Sequence, residues 1–368
     1  MAARDLIRDV LLAPESITSL TPLDWDLLIR QGRRANLLAR LAHVLNARDA
    51  LDSVPSAPRQ HLVSAMRITE RQTIAVRHEI ACIATALENS GVPLILLKGA
   101  AYVAADLPVS VGRIFSDVDI IVPRPLLGQA ESALLQHGWR GSTLSPYDQR
   151  YYRRWMHELP PMRHFRRDTT IDVHHNILPE TARLSADSHA LLDNVVSVPG
   201  HDRVFVLQPV DMLLHSATHL FHEGEFISAL RDLFDIDGLL RHFGSRPGFW
   251  DELVRRAAAL GLSRPLYYAL RVSVDLLRTE VPKDVLATAS IGRPAAPLAW
   301  TMERCFALAF QPVHPSVDTA AVKAARFALY VRSHWLRMPM HLLVYHLGRK
   351  ALLRTTSADT PVETARPA

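Results

Sequence analysis

Hydrophobic positions recur along this chain in two rhythms. Before residue 90 they return every three or four positions, the period of a helix with one buried face. Asp5–Leu12 reads as a short amphipathic helix. Thr21-Pro22-Leu23-Asp24 reads as a cap with proline at the first helical position, opening a helix over Trp25–Gln31. Ala35–Ala47 repeats Leu37, Leu38, Leu41, Val44 and Leu45 at helical spacing. After the break at Pro55-Ser56-Ala57-Pro58 a long helix is predicted from Arg59 to Asn89, ended by Gly91. Its inward face is predicted to carry Leu62, Met66, Ile74, Ile80, Ile83 and Leu87.

Between residues 92 and 178 the rhythm shortens. Leu94–Leu97 and Val118–Val122 are apolar runs of strand length, separated by a helix-forming segment, Ala100–Asp106, and a loop with Gly112 and Arg113. Pro125–His137 carries a helical stripe of Leu126, Leu127, Ala130, Leu134 and Leu135, and Gly138-Trp139 starts another extended segment. Tyr147–Trp155 is basic and aromatic. Met162–Arg167 and Thr170–His174 suggest a hairpin around Asp168-Thr169. A short extended stretch at Val204–Leu207 is followed by helical periodicity over Val210–His222, Glu225–His242, Phe249–Leu260, Ser263–Leu277, Pro282–Ala289, Ala295–Phe310 and Ala320–Arg354. The pattern predicts an α+β fold, a small mixed sheet flanked by N-terminal helices and a large C-terminal helical domain. The expected division is a helical region over 1–90, an α/β core over 91–200, a helical domain over 201–354 and a disordered tail over 355–368.

Composition narrows the class. At 368 residues, 48% hydrophobic and 21% charged, the chain has the make-up of an ordinary soluble globular protein. Two cysteines, Cys82 and Cys305, argue against a disulfide scaffold or a cysteine zinc site and fit a reducing cytoplasm. Acids among the first apolar residues exclude a signal peptide, and no apolar run is long enough for a membrane span. A net charge of +5 is compatible with nucleotides, nucleic acid or an anionic surface and selects none of them.

The chemistry gathers at the second and third strands. Asp117 and Asp119 emerge on one face of an otherwise apolar strand, which is costly unless something cationic lies between them. A hard divalent metal with oxygen ligands is the economical occupant. A third carboxylate, Asp172, lies in Thr170-Ile171-Asp172-Val173-His174. Three carboxylates on adjacent strands form a ligand set for phosphoryl or nucleotidyl transfer with two metal ions.

A glycine turn after a first strand, two aspartates one residue apart on a second and a lone aspartate on a third resemble the polymerase-beta-like nucleotidyltransferase superfamily. The wording LLKGAA…R…SDVDIIV…IDVHH looks like an uncharacterised bacterial nucleotidyltransferase-like family with a lysine–glycine turn. The likeness extends over about residues 16–280, taking in Leu23-Asp24-Trp25 before the core and His219 and Leu230-Arg231-Asp232-Leu233 after it. It implies a transfer of a nucleoside monophosphate from an NTP to a hydroxyl, with Mg2+ or Mn2+ held by Asp117, Asp119 and Asp172, the last nearest the attacking hydroxyl. Lys98, Gly99, Arg113, Ser116 and His174 are then the expected nucleotide-binding residues, the lysine–glycine turn offering its backbone amides to phosphate. Ala100 stands where the wider superfamily has serine, so one phosphate contact is missing, and a catalytically silent nucleotide-binding scaffold is the alternative.

Two further features are read more plainly. His215, His219 and His222 share a helix face, but no neighbouring glutamate completes a metalloprotease signature, and His219 with Arg231-Asp232 is expected to brace the helical domain against the core or line the acceptor side. Ala320–Arg354 holds seven Lys/Arg and no acid, with Phe327, Tyr330, Trp335 and Tyr345 among them. The first reading is a packed helix with its arginines in water, kinked at Pro339. The other is a surface for a partner, an anionic membrane or RNA.

Overall fold

The computed structural model describes residues 4–141, 156–184, 188–201, 203–222 and 224–338. The basic aromatic run Tyr147–Trp155, the expected helix beyond 338 and the tail over 355–368 lie outside them. Four helices come first: α1 (Leu6–Leu12), α2 (Pro22–Arg34), α3 (Leu38–Asn46) and α4 (Ser56–Leu87). Asp5 caps α1, and Thr21 with Asp24 forms a reciprocal capping box at α2, satisfying amides that a helix start leaves unpaired. The buried stripe of α4 is Leu62, Thr69, Val76, Ile80, Ile83 and Leu87. Ile74, expected inward, is 69% exposed, because it lies two residues from Val76 and so more than half a turn off that stripe.

A seven-stranded mixed sheet follows. Its strands are β1 (Leu94–Leu96), β2 (Val118–Ile121), β3 (Trp139–Gly141), β4 (Met162–His164), β5 (Thr170–His174), β6 (Val195–Ser197) and β7 (Val204–Leu207), in the spatial order β3-β4-β5-β2-β1-β7-β6. β2 pairs with β1 antiparallel and with β5 in parallel, and β7 pairs with β1 in parallel. The hairpin expected around Asp168-Thr169 forms, with Met162 opposite Ile171 and Asp168 in the left-handed region (φ 63). Glu79 of α4 pins this turn, accepting from Arg167 Nε at 2.7 Å and from Thr169 Oγ1 at 2.7 Å. Helix α5 (Lys98–Ala104) connects β1 toward β2, and α6 (Leu127–Gln136) follows β2, burying Ala130 and Leu134 but leaving Leu135 49% exposed.

After a short α7 (Ser188–Leu192) the C-terminal helices gather around α8 (Pro209–His222), which packs on β7 and α5. Against it lie α9 (Ala229–Phe243), α10 (Phe249–Ala259), α11 (Ser263–Leu277) and α14 (Ala320–Arg337), with α12 (Lys283–Ala289) and α13 (Ala296–Ala309) outside them. One apolar core runs from α1 through the sheet to α14. Helix α14 stops at Arg337, short of the predicted Arg354, because Met338 precedes a proline and takes an extended conformation (φ −136, ψ 141). Its buried face is Val322, Ala325, Leu329 and Ser333, but two arginines expected in water turn inward. Arg332 donates to Phe221 O at 2.8 Å and lies over Tyr268 and Phe306, and Arg326 donates to Gln311 O at 2.7 Å, while Phe327 is 68% exposed.

Candidate active site

The parallel register of β2 and β5 sets Asp119 opposite Asp172. Both line a cavity of about 470 Å3, and Asp117, one residue before β2, lines it too. Lys98, Gly99, Arg113, Ser116 and His174 complete the set, so the eight residues expected to bind metal or nucleotide border one space.

Lys98 has φ 45, a left-handed conformation that costs a non-glycine residue roughly 1–2 kcal/mol. The turn is held between β1 and α5, and Lys98 Nζ lies 2.9 Å from Asp119 Oδ1. His174 Nε2 reaches the same oxygen at 3.0 Å. Burial alone would push the Asp119 carboxyl up. The ammonium and the imidazole outweigh it and hold this group well below the usual carboxylate range. With the carboxylate ionised, His174 Nε2 is the donor.

The other two carboxylates stand differently. Burial first, then the charges of Asp119, Asp117 and Glu158, push Asp172 up to about 7. Its Oδ1 is buried without a hydrogen-bond partner. Asp117 is likewise raised by burial and by Asp119, although the Ser116 hydroxyl donates to its Oδ1 at 2.8 Å. One carboxylate is neutralised and two are crowded, so the cleft is short of positive charge on its Asp117–Asp172 side. An orphaned buried oxygen among crowded carboxylates fits a hard divalent cation.

Gly99 and Arg113 are coupled. A Cβ at Gly99 would lie 2.3 Å from Arg113 Nη1 and 2.9 Å from its Cζ, so only glycine admits the guanidinium there. Arg113 Nε donates to Asp235 Oδ2 at 2.8 Å, and Arg40 Nη2 holds the other oxygen of Asp235 at 2.6 Å. Burial works against the Arg113 charge, and Asp235 and Asp232 more than restore it. Gly112 (φ 70) brings the loop against α3, where a Cβ would lie 2.7 Å from the Arg40 backbone nitrogen. Arg113 thus borders the cavity while committed to a buried ion pair that ties α3, the loop and α9 together.

His219, Arg231 and Asp232 line the cavity, as does Arg337 at the end of α14. Among the lining residues that escaped the sequence reading are Tyr102 and Ser216, whose hydroxyl oxygens lie 2.7 Å apart, and the pair His157 and Glu158. The only local signal for the last two is an isolated histidine–glutamate step after an aromatic run. His215 and His222 are buried, and burial depresses each to about 3.

A family model described as an uncharacterised nucleotidyltransferase matches residues 21–278. No curated protein and no solved structure matches the chain significantly.

Proposed function

The chain belongs to the uncharacterised nucleotidyltransferase family, and from that premise we propose that it moves a nucleoside monophosphate from an NTP to a hydroxyl acceptor, with Mg2+ or Mn2+ at Asp117, Asp119 and Asp172. The observation that carries this reading is the crowded carboxylate pair with the orphaned Asp172 Oδ1, beside a lysine that already neutralises Asp119. The order of the motifs supports a core of the polymerase-beta type.

Bound there, the ion would neutralise charge on the triphosphate and on the departing pyrophosphate. Asp172 would receive the proton of the acceptor hydroxyl at a carboxylate oxygen. The acceptor oxygen then forms a bond to the α-phosphorus, and the bond from that phosphorus to the bridging oxygen of pyrophosphate breaks. Lys98 keeps Asp119 ionised and adds positive charge beside the phosphates. Ser116 orients Asp117 through its hydroxyl. Arg113 acts through Gly99 and Asp235, fixing the turn and the loop that face the nucleotide. His219, Arg231 and Arg337 are the cavity-lining side chains for the acceptor side. Cys82 and Cys305 are both unpaired, which agrees with a cytoplasmic setting, and no helix among the described residues is long and apolar enough to cross a membrane.

A second reading, a silent nucleotide-binding scaffold, rests on Ala100 in place of a serine. Incubation with NTPs labelled at the α- or the γ-phosphate, with and without Mg2+, separates the two. Transfer of α-label to an acceptor fraction, with release of pyrophosphate, is the expected outcome. Transfer of γ-label, or none from any NTP in the presence of broad acceptor extracts, would count against nucleotidyl transfer.

A further inference from the structure

Beside the carboxylate cleft lies a second group of potential ligand atoms, from His157, Glu158 and His174. The segment around Glu158 is zipped onto the end of β5. Leu159 N donates to Val173 O at 2.9 Å, His175 N donates to His157 O at 2.8 Å, and Glu158 faces His174 in an antiparallel bridge. This backbone pairing fixes where three side chains reach. One ligand atom from each of His157, Glu158 and His174 lies within 4.8 Å of the other two. The two imidazole rings are 5.4 Å apart and inclined at 33°. His174 Nδ1 is 3.3 Å from Glu158 Oε2, yet it is buried without a hydrogen bond, and so is His157 Nδ1.

We propose that His157, Glu158 and His174 bind a transition-metal ion of the zinc class, at a site separate from the hard-cation site of Asp117, Asp119 and Asp172. Zinc holds nitrogen and oxygen ligands at about 2.0–2.1 Å, which in a tetrahedral set spaces neighbouring ligand atoms roughly 3.4 Å apart. Glu158 Oε2 and His174 Nδ1 already stand at that spacing, 3.3 Å apart, a contact that is an ion pair only when His174 is protonated. Two imidazoles and a carboxylate select zinc, cobalt or nickel over magnesium. Asp119 supplies the outer partner. Its Oδ1 lies 3.0 Å from His174 Nε2, which leaves Nδ1, facing Glu158, as the ring nitrogen open to a metal. Nδ1 of His157 and Nδ1 of His174 are both buried without a hydrogen bond, an arrangement protein interiors rarely keep. Without a metal, His174 Nδ1 and Glu158 Oε2 face each other at 3.3 Å, and His157 Nδ1 has no hydrogen-bond partner among the described residues. All three residues line the cavity, so a fourth coordination position opens into it. The site stands on its own geometry and does not rest on the nucleotidyl-transfer reading.

The test uses the full chain, stripped with a chelator and titrated with Co2+ while its visible d–d absorption is followed, then back-titrated with Zn2+. With excess Mg2+ present to occupy the carboxylate cleft, one equivalent of Co2+ per chain, displaced by Zn2+, is expected. His157→Asn and Glu158→Gln should each weaken binding at least tenfold, and Asp117→Asn should leave it unchanged. Circular dichroism checks each variant, with His157→Gln in reserve if His157→Asn does not fold. Three results would overturn the site: no d–d band, an affinity indifferent to both His157→Asn and Glu158→Gln, or a loss in Asp117→Asn that assigns the ion to the carboxylate cleft. Mg2+-dependent nucleotide binding, measured separately, keeps failure of the transferase reading distinct from failure of this one.

Discussion

Asp172→Asn should make the metal-free protein more stable while removing its function, and the gain should depend on pH. The Asp172 carboxyl titrates at 3.8 when unfolded and at about 7 when folded. Below 3.8 it is protonated in both states and there is no penalty. Between 3.8 and 7 the unfolded chain releases a proton that the folded chain keeps, so stability falls by about 1.4 kcal/mol per pH unit. Above 7 the whole penalty applies, about 4 kcal/mol for a fully buried carboxyl. Asp172 is only part-buried, and solvent around it reduces this to about 2 kcal/mol, worth roughly 4 °C in Tm. Asparagine keeps the shape and removes the charge. In EDTA at pH 8, calorimetric unfolding should therefore place the variant about 4 °C above wild type, with the gain falling below about 2 °C at pH 5. Added Mg2+ should raise wild type toward the variant and leave the variant unmoved, because a ligand stabilises only the state that binds it. A variant less stable than wild type at pH 8, or a gain that ignores pH, would refute the charge-crowding argument.

Other expectations follow from the same geometry. Gly99→Ala should displace the Arg113 guanidinium from Asp235 and cost about 1.5–3 kcal/mol in urea unfolding, and an unchanged midpoint would mean the loop yields freely. Lys98→Ala should weaken NTP binding about tenfold or more, and unchanged affinity would leave Lys98 with only a structural part. His215 and His222, neutral in the folded state to about pH 3 but titrating at 6.5 when unfolded, give stability that is complete above 6.5 and lost as pH falls toward 3. Denaturation midpoints should drop between pH 7 and 5, by up to about 1.4 kcal/mol per unit for each histidine. A flat profile would contradict their burial as neutral groups.

How much of this was legible in the sequence depended on how local each determinant is. The strand around Asp119, the lysine–glycine turn and the Asp172 hairpin are set by period-two alternation and turn residues, and they form where expected. Helix existence is equally plain in the periodicity, but the inward face of α4 differs at Ile74, an apolar residue off the stripe that stays in solvent. Glu79 buries on that helix because Arg167, far along the chain, pairs with it. The same non-locality hid the commitment of Arg113 to Asp235, across 122 residues, and the arrival of His157 and Glu158 beside His174 through a backbone bridge. In α14 the basic composition suggested arginines in water. Buried carbonyl oxygens and aromatic faces, which no periodicity reveals, turn Arg326 and Arg332 inward instead.

The most direct measurement is calorimetric titration of the purified protein with each NTP, with and without Mg2+, repeated on the Asp117→Asn/Asp119→Asn variant after its fold is checked by circular dichroism. Binding of at least one NTP that requires Mg2+ and disappears in the folded variant is the predicted result. Absence of binding for every nucleotide, or binding that ignores both the metal and the two aspartates, would contradict a metal-dependent nucleotide site at this cleft.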